Sequence, residues 1–199
     1  MVRPPGGGTG PLSDPGKNPL RTGLAAGEEQ AFGLLYDRSA GRLYRAALAL
    51  LGRPDDAEDA VQETFLGALR SRRSLAVVEN LDAYLFTALR RAAGRIAEAR
   101  RRRAAMPLDT AAAVPVPRAA GALAGIEGDD RMRRALEALP PEQRQAVRLK
   151  IEADLTFQEM GAALGIPADT AASRYRYGLE RLRTNLASVR NDGRGEEQR

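Results

Sequence analysis

The sequence predicts an all-α protein with two small helical domains joined by a flexible linker. Strand-forming residues are scarce, since aromatic side chains make up 5% of the 199 residues, whereas the helix formers Ala, Leu, Arg and Glu are abundant. Apolar residues recur at steps of three and four, which is the helical period. Residues 104–128 are rich in Ala, Pro and Gly, and their Pro-Val-Pro step cannot continue a helix.

The composition excludes several kinds of site. The chain has no cysteine and no histidine, which rules out disulfides, thiolate zinc sites, cysteine nucleophiles and Ser-His triads. We find no metal-ligand spacing and no glycine-rich phosphate loop, so we expect no metal, no cofactor and no catalytic residue. No apolar run is long enough to cross a membrane, and no signal peptide is evident. The default expectation is a soluble cytoplasmic protein.

The net charge is +5 and the isoelectric point is about 10.0, which gives modest support for a polyanionic partner. We divide the chain by composition and period into five parts. Residues 1–27 are rich in Pro and Gly and predict a disordered tail. The other parts are a first helical domain (28–103), the linker (104–128), a second helical domain (129–187) and a polar tail (188–199).

The first domain reads as three helices. The first covers residues 28–51, and the Gly-Arg-Pro step at 52–54 breaks it. Asp55 or Asp56 is expected to cap the second helix, and Leu81 begins the third. Helical spacing assigns an inward face to these residues: Phe32, Leu35, Tyr36, Leu43, Ala46, Ala47, Leu50, Val61, Phe65, Leu66 and Leu69.

Two surfaces of this domain are charged. Asp59, Gln62 and Glu63 share an outer face of the second helix, where the alternative is simple complementation of the helix dipole. From Tyr84 to Arg103, the third helix carries one acid, Glu98, and an excess of arginine that suits a phosphate backbone. For Arg100–Arg103 the alternative is a solvated helix end. The arginines are Arg90, Arg91, Arg95, Arg100, Arg101, Arg102 and Arg103.

The second domain contains a predicted helix-turn-helix. Thr156 and Glu159 match a capping box, and Gly165 is expected to end that helix in the left-handed conformation. The helix that follows has a buried stripe of Ala171, Tyr175, Leu179, Leu182 and Leu186. Its opposite side exposes Thr170, Ser173, Arg174, Tyr177 and Arg181, flanked by Arg176 and Arg183. Such a face can contact phosphates and base edges in a major groove, although an ordinary helical hairpin with a solvated basic face has the same pattern.

Both domains together resemble the sigma-70 family of bacterial RNA polymerase specificity subunits, in particular the small extracytoplasmic-function (ECF) type. The likeness to family region 2 lies in LYDRSAGRLYRAALALLG, RPDDAEDAVQETFLGAL and LDAYLFTALRRAAG. The likeness to region 4 lies in LEALPPEQRQAVRLK and LTFQEMGAALGIPADTAASRYRYGLERLR. The resemblance implies a protein that binds core RNA polymerase, directs it to promoters and opens the DNA.

The resemblance also implies roles for single residues. Asp59, Gln62 and Glu63 would contact the β′ clamp helices, while the second domain would lie near the β flap. The stretch 71–80 would read the −10 element by capturing a flipped base, with Asn80 as the best candidate donor. Arg90, Arg91 and Arg95 would hold the DNA backbone there.

In the same way, the helix that begins near residue 168 would enter the major groove of the −35 element. Ser173 and Arg176 occupy the base-reading positions, and Thr170, Arg174 and Tyr177 would contact the backbone. Arg181 completes the exposed face.

Four positions depart from the common family pattern. Ala92 replaces the asparagine of a common Arg-Asn step, and Ala172 replaces a longer polar residue, which removes one possible base contact. Leu69 stands where many members have tryptophan, which we interpret as a core replacement. Gly161 replaces the usual alanine at a helix crossing, and we expect it to weaken its helix by about 1 kcal/mol.

Two other hypotheses compete with the sigma factor. A helix-turn-helix regulator that is not a polymerase subunit would explain the second domain and leave the first without a role. An enzyme is disfavoured by the missing His and Cys. An anti-sigma protein could clamp the two domains together across the linker.

Overall fold

The computed structural model describes residues 19–105 and 130–196, and no strand occurs within these ranges. The elements of the first half are α1 (Pro19–Ala26), α2 (Glu29–Leu51), α3 (Pro54–Arg70), a 3-10 helix (Arg72–Val77) and α4 (Leu81–Ala105). Those of the second half are α5 (Asp130–Glu137), α6 (Pro141–Ile151), α7 (Phe157–Leu164) and α8 (Ala168–Glu196). The all-α prediction is confirmed.

The predicted break after α2 is present and has a local cause. Gly52 adopts φ 74°, and its N–H donates to Leu48 O at 2.9 Å, which closes the last turn. Pro54 opens α3, where a missing N–H costs little. The prediction that Asp55 or Asp56 caps α3 is wrong, because the N-cap is Arg53 and the two acids lie two and three positions later, within the first turn.

Helices α2, α3 and α4 pack on one another around the core of the first half. The predicted inward residues Leu35, Leu43, Ala46, Ala47 and Val61 are buried. The same prediction is wrong for Tyr36, Leu66 and Leu69, whose exposed fractions are 53%, 54% and 42%. Their helices carry a wider apolar arc than the neighbouring helices cover, so Leu69 is no core replacement.

The predicted tail is wrong over its last residues, because Pro19–Ala26 form α1. Leu24 is fully buried, and Gly23 lies so close to α2 that a Cβ would sit 2.8 Å from Ala31 Cβ. Gly27 (φ 82°) turns the chain towards α2. Residues 1–18 lie outside the described ranges.

The helix-turn-helix begins with the predicted capping box. Thr156 Oγ1 accepts a hydrogen bond from Glu159 N at 3.2 Å, and Thr156 N donates to Glu159 Oε2 at 2.7 Å. Gly165 ends α7 with φ 71°, as predicted. In α8 the expected inward stripe is present, with Ala171 and Leu182 buried and Tyr175, Leu179 and Leu186 half-buried. Helix α8 continues to Glu196, past the start of the predicted polar tail.

Gly161 has a stronger role than we predicted. A Cβ at this position would lie 2.7 Å from the carbonyl oxygen of Ile166, a backbone atom of the turn. The close crossing of α7 and the turn therefore requires glycine here. The expected loss of helix propensity is a minor consequence of this steric demand.

The two halves are in contact. Helix α7 packs on α4, and α6 packs on α2. Side chains of the described residues bridge the halves. Arg42 pairs with Glu159 at 2.7 Å, and Arg148 Nη1 donates to Ala49 O at 3.3 Å. Most of the predicted linker falls in residues 106–129, outside the described ranges.

Candidate polymerase and promoter interface

The outer face of α3 presents the predicted polar residues in two environments. Asp59 and Gln62 are exposed. Glu63 is half-buried and forms an ion pair with Arg95, whose Nη2 lies 2.6 Å and Nε 3.0 Å from Glu63 Oε1. The sequence placed Glu63 and Arg95 on separate surfaces, whereas the structure joins them across α3 and α4.

An apolar groove between α2 and α3 borders this face, and sequence reasoning missed it. The groove is open to solvent and has a volume of about 660 Å³. Gln62 lies on its wall, so the groove and the polar face are continuous. The signal that could have revealed it is the stripe Gln62, Leu66 and Leu69, which follows steps of four and three. The groove is lined by Gly27, Glu29, Phe32, Gly33, Tyr36, Gln62, Phe65, Leu66 and Leu69.

Asn80 has a structural role that differs from the predicted one. Its Oδ1 accepts a hydrogen bond from Ala83 N at 2.9 Å, so the side chain caps the start of α4. The stretch before it holds the 3-10 helix, in which Leu75 is fully buried and Val77 is 83% exposed. Arg73 and Ser74 are also exposed.

The arginines predicted to bind the −10 element lie in two different places. Arg91 and Arg95 line a polar cleft of about 490 Å³ between α3 and α4, together with Glu63, Arg70 and Tyr84. Arg90 lies against the turn of the helix-turn-helix instead, where its Nε and Nη1 are 3.2 Å from the position of a Cβ on Gly165. The structure therefore brings Arg91 and Arg95 together and separates Arg90 from them.

The predicted −35 residues all lie on α8. Arg176, Tyr177 and Arg181 are exposed, whereas Thr170, Ser173 and Arg174 are half-buried. Ser173 Oγ donates to Asp169 O at 2.8 Å and accepts from Arg176 Nη2 at 3.3 Å. On the opposite side of α8, the Tyr175 ring packs 5.9 Å from Phe157. The helix thus has an apolar face on α7 and a face of hydroxyl, phenol and guanidinium groups.

Glu159 is a buried carboxylate at the contact between the halves. Burial alone would raise its pKa, but hydrogen bonds from the Arg42 side chain and from the backbone and side chain of Thr156 outweigh it. The pKa of Glu159 is consequently lowered from its ordinary value of 4.5.

No group of three acidic side chains in the described ranges could hold a metal ion. Over the same residues, no helix is long and apolar enough to cross a membrane.

Comparison with known proteins identifies the family. Residues 35–104 match the model of sigma-70 region 2, and residues 135–184 match that of sigma-70 region 4. The ECF RNA polymerase sigma factor SigE of Mycolicibacterium smegmatis is 33% identical over 192 residues, covering 87% of this chain and 70% of that protein. The ECF RNA polymerase sigma factor SigK of Mycobacterium ulcerans is 31% identical over 179 residues, covering 85% of this chain and 92% of that protein.

A solved structure has the same architecture. The sigma factor RpoE of Bartonella quintana, in complex with the anti-sigma factor NepR, superposes with a TM-score of 0.56 at 25% identity, covering 79% of this chain and 98% of that one. Together with the two family matches, these relatives assign the first half to sigma-70 region 2 and the second half to region 4. The chain belongs to the sigma-70 family as an ECF sigma factor, which directs RNA polymerase to promoters and initiates transcription.

Proposed function

We propose that this sigma factor divides its task among three surfaces. Asp59, Gln62 and Glu63, with the adjoining apolar groove, bind the β′ clamp helices of core RNA polymerase. The 3-10 helix and α4 bind the −10 element, and α8 binds the −35 element near the β flap. The chain acts as a specificity subunit without catalytic activity. It works in the cytoplasm, where polymerase and chromosome are found.

The observation that carries the polymerase contact is the exposed apolar groove beside an acidic face. Tyr36, Leu66 and Leu69 leave much of their apolar surface in water, and a contiguous apolar patch of this kind marks a site for a partner. Asp59 is exposed, and no ion pair joins it to another side chain of the described ranges. An apolar centre with a charged rim is the usual anatomy of a protein interface, and the acids favour a basic partner.

The promoter requires the halves to separate. In this structure Arg90 lies against Gly165, only three residues before α8 begins. The −10 and −35 elements are centred about 25 base pairs apart, or about 85 Å along B-DNA. The 24 residues between Ala105 and Asp130 can span about 80 Å when extended. The described arrangement is therefore a closed form, and opening it frees Arg90 and lets α8 reach the distal element.

A protein partner that prefers the closed form would inhibit the factor. The related RpoE was solved with the anti-sigma factor NepR, which supports an anti-sigma protein as a partner here. Binding to the closed form alone would shift the equilibrium away from the form that engages polymerase and DNA.

Charge and apolar substitutions on α3 test the polymerase contact. We expect Asp59→Lys and Leu66→Glu each to lower affinity for core polymerase at least about tenfold, which is about 1.4 kcal/mol. Binding to a −35 duplex should remain unchanged. Asp55→Lys makes the same charge change on the same helix and should leave polymerase binding near the wild-type value. Normal polymerase binding by both test variants would show that this face is not the contact, and absent binding by the wild type would favour a conventional regulator.

A further inference from the structure

Helix α1 packs on the 3-10 helix that precedes α4. Leu24 of α1 and Leu75 of the 3-10 helix both have no exposed surface and belong to the same apolar core. The 3-10 helix spans six residues, Arg72–Val77. Runs of this length are uncommon because 3-10 hydrogen bonds have poor geometry, so its conformation depends on the surface beneath it.

A hydrogen bond at one end and a close packing contact at the other join the segment to the region of α1. At the far end, the Arg21 guanidinium donates to the carbonyl oxygen of Glu79. At the near end, the Arg72 side chain covers Gly27, with its Nε 3.0 Å from the position of a Cβ. Because Gly27 also has φ 82°, a side chain there would be strained and would displace Arg72.

The outer side of the segment consists of exposed residues: Arg73, Ser74, Ala76, Val77, Glu79 and Asn80. These are the side chains available to DNA, while the residues that hold the segment in place face α1. Reading a base needs groups held to within a fraction of an ångström, and such groups depend on the shell behind them.

We infer that α1 positions the −10 reading segment, with Arg21 and Leu24 as positioning residues that touch no DNA. This inference rests on the proposed −10 function of the 3-10 helix. It assigns the stretch before the region 2 match a role in promoter specificity rather than in polymerase binding.

The test uses full-length protein assembled with core polymerase and compares promoters changed at single −10 or −35 positions. Arg21→Met removes the hydrogen bond to Glu79 while keeping the apolar stem. We expect it to lower open-complex formation on the best −10 sequence about tenfold and to flatten the preference among −10 variants. The preference among −35 variants and the affinity for core polymerase should stay unchanged. Arg21→Lys keeps one donor and should restore part of the preference.

Arg45→Met is the matched control, because it removes an exposed arginine from α2 and should leave the −10 preference intact. Unchanged −10 preference in Arg21→Met would overturn the inference, as would an equal loss on every promoter together with weaker polymerase binding. Val77→Ser and Arg73→Ala separate the two claims. If neither alters −10 preference, the proposed −10 function itself fails; if they do and Arg21→Met does not, only the role of α1 fails.

Discussion

Arg42 Nη2 lies 2.7 Å from Glu159 Oε2, so an ion pair joins residues 117 positions apart and links α2 to the first helix of the helix-turn-helix. The Glu159 side chain is 8% exposed and that of Arg42 30%. The same carboxylate completes the capping box of α7. One side chain therefore stabilises both the local fold of the second half and its contact with the first.

Removing Arg42 should destabilise the closed form and leave the capping box of α7 intact. We expect Arg42→Met to lower the free energy of unfolding by about 1.5–3 kcal/mol, the range for hydrogen bonds to charged groups. It should also lengthen the mean distance between dyes placed on α2 and α6. Urea unfolding and energy transfer measure the two effects.

Two variants serve as controls for this prediction. Arg38 lies on α2, as Arg42 does, and forms an exposed ion pair with Asp82 of α4. Arg38→Met should lower the free energy of unfolding by less than about 1 kcal/mol and leave the distance between the dyes unchanged. Thr156→Ala removes the cap at a cost of about 0.5–2 kcal/mol and should leave the halves in contact. An unchanged distance in Arg42→Met would contradict the proposed link.

The lowered pKa of Glu159 predicts acid sensitivity. Because the folded-state pKa lies below the ordinary value of 4.5, the carboxylate contributes its full stability above pH 4.5 and loses it as the pH falls through the folded-state pKa. The gap in unfolding free energy between wild type and Glu159→Gln should be constant near neutral pH and shrink in acid. A gap that widens in acid would mean that the folded state raises this pKa.

Gly161→Ala should destabilise the protein although alanine is the better helix former. The added Cβ meets the Ile166 carbonyl oxygen at 2.7 Å, and overpacking costs about 1–3 kcal/mol. Gly94→Ala is the control, because nothing lies within 4 Å of a Cβ there, and it should stabilise α4 by up to about 1 kcal/mol. Denaturant midpoints measure the stability of both variants. A Gly161→Ala protein more stable than wild type would contradict the close crossing of α7 and the turn.

Arg176→Ala tests base reading by α8. We expect relaxed preference at one or two −35 positions, worth about 1–3 kcal/mol for a bidentate contact. Arg174→Ala should instead weaken binding to every −35 sequence alike. It should also reduce the slope of log affinity against log salt concentration by about one, the value for one lost phosphate contact. Competition binding on −35 variants separates the two, and a uniform loss in Arg176→Ala would make it a phosphate contact.

Features set by neighbouring residues were predictable from the sequence. The capping box at Thr156 and the glycine stops at Gly52 and Gly165 depend on a few positions, so local rules sufficed. Asn80 carries a local signal too, since asparagine before a helix is a preferred cap, and its Oδ1 accepts from Ala83 N.

Features set by distant neighbours were not predictable. Helical spacing shows that Leu66 and Leu69 belong to an apolar arc, but it does not show where the covering helix stops. The Arg42–Glu159 pair depends on how the halves pack, which no local pattern encodes. Helix α1 was hidden because the composition was averaged over the whole Pro- and Gly-rich stretch; Leu20 and Leu24, one helical turn apart, were its signal.

Transcription in vitro on fragmented genomic DNA, with purified core polymerase and with or without this protein, tests the central claim most directly. We expect new discrete starts preceded by shared −35 and −10 sequences, and we expect Asp59→Lys to weaken them at limiting protein concentration while Asp55→Lys retains them. DNA binding by the protein without any new start would contradict the assignment of this chain as a working specificity subunit.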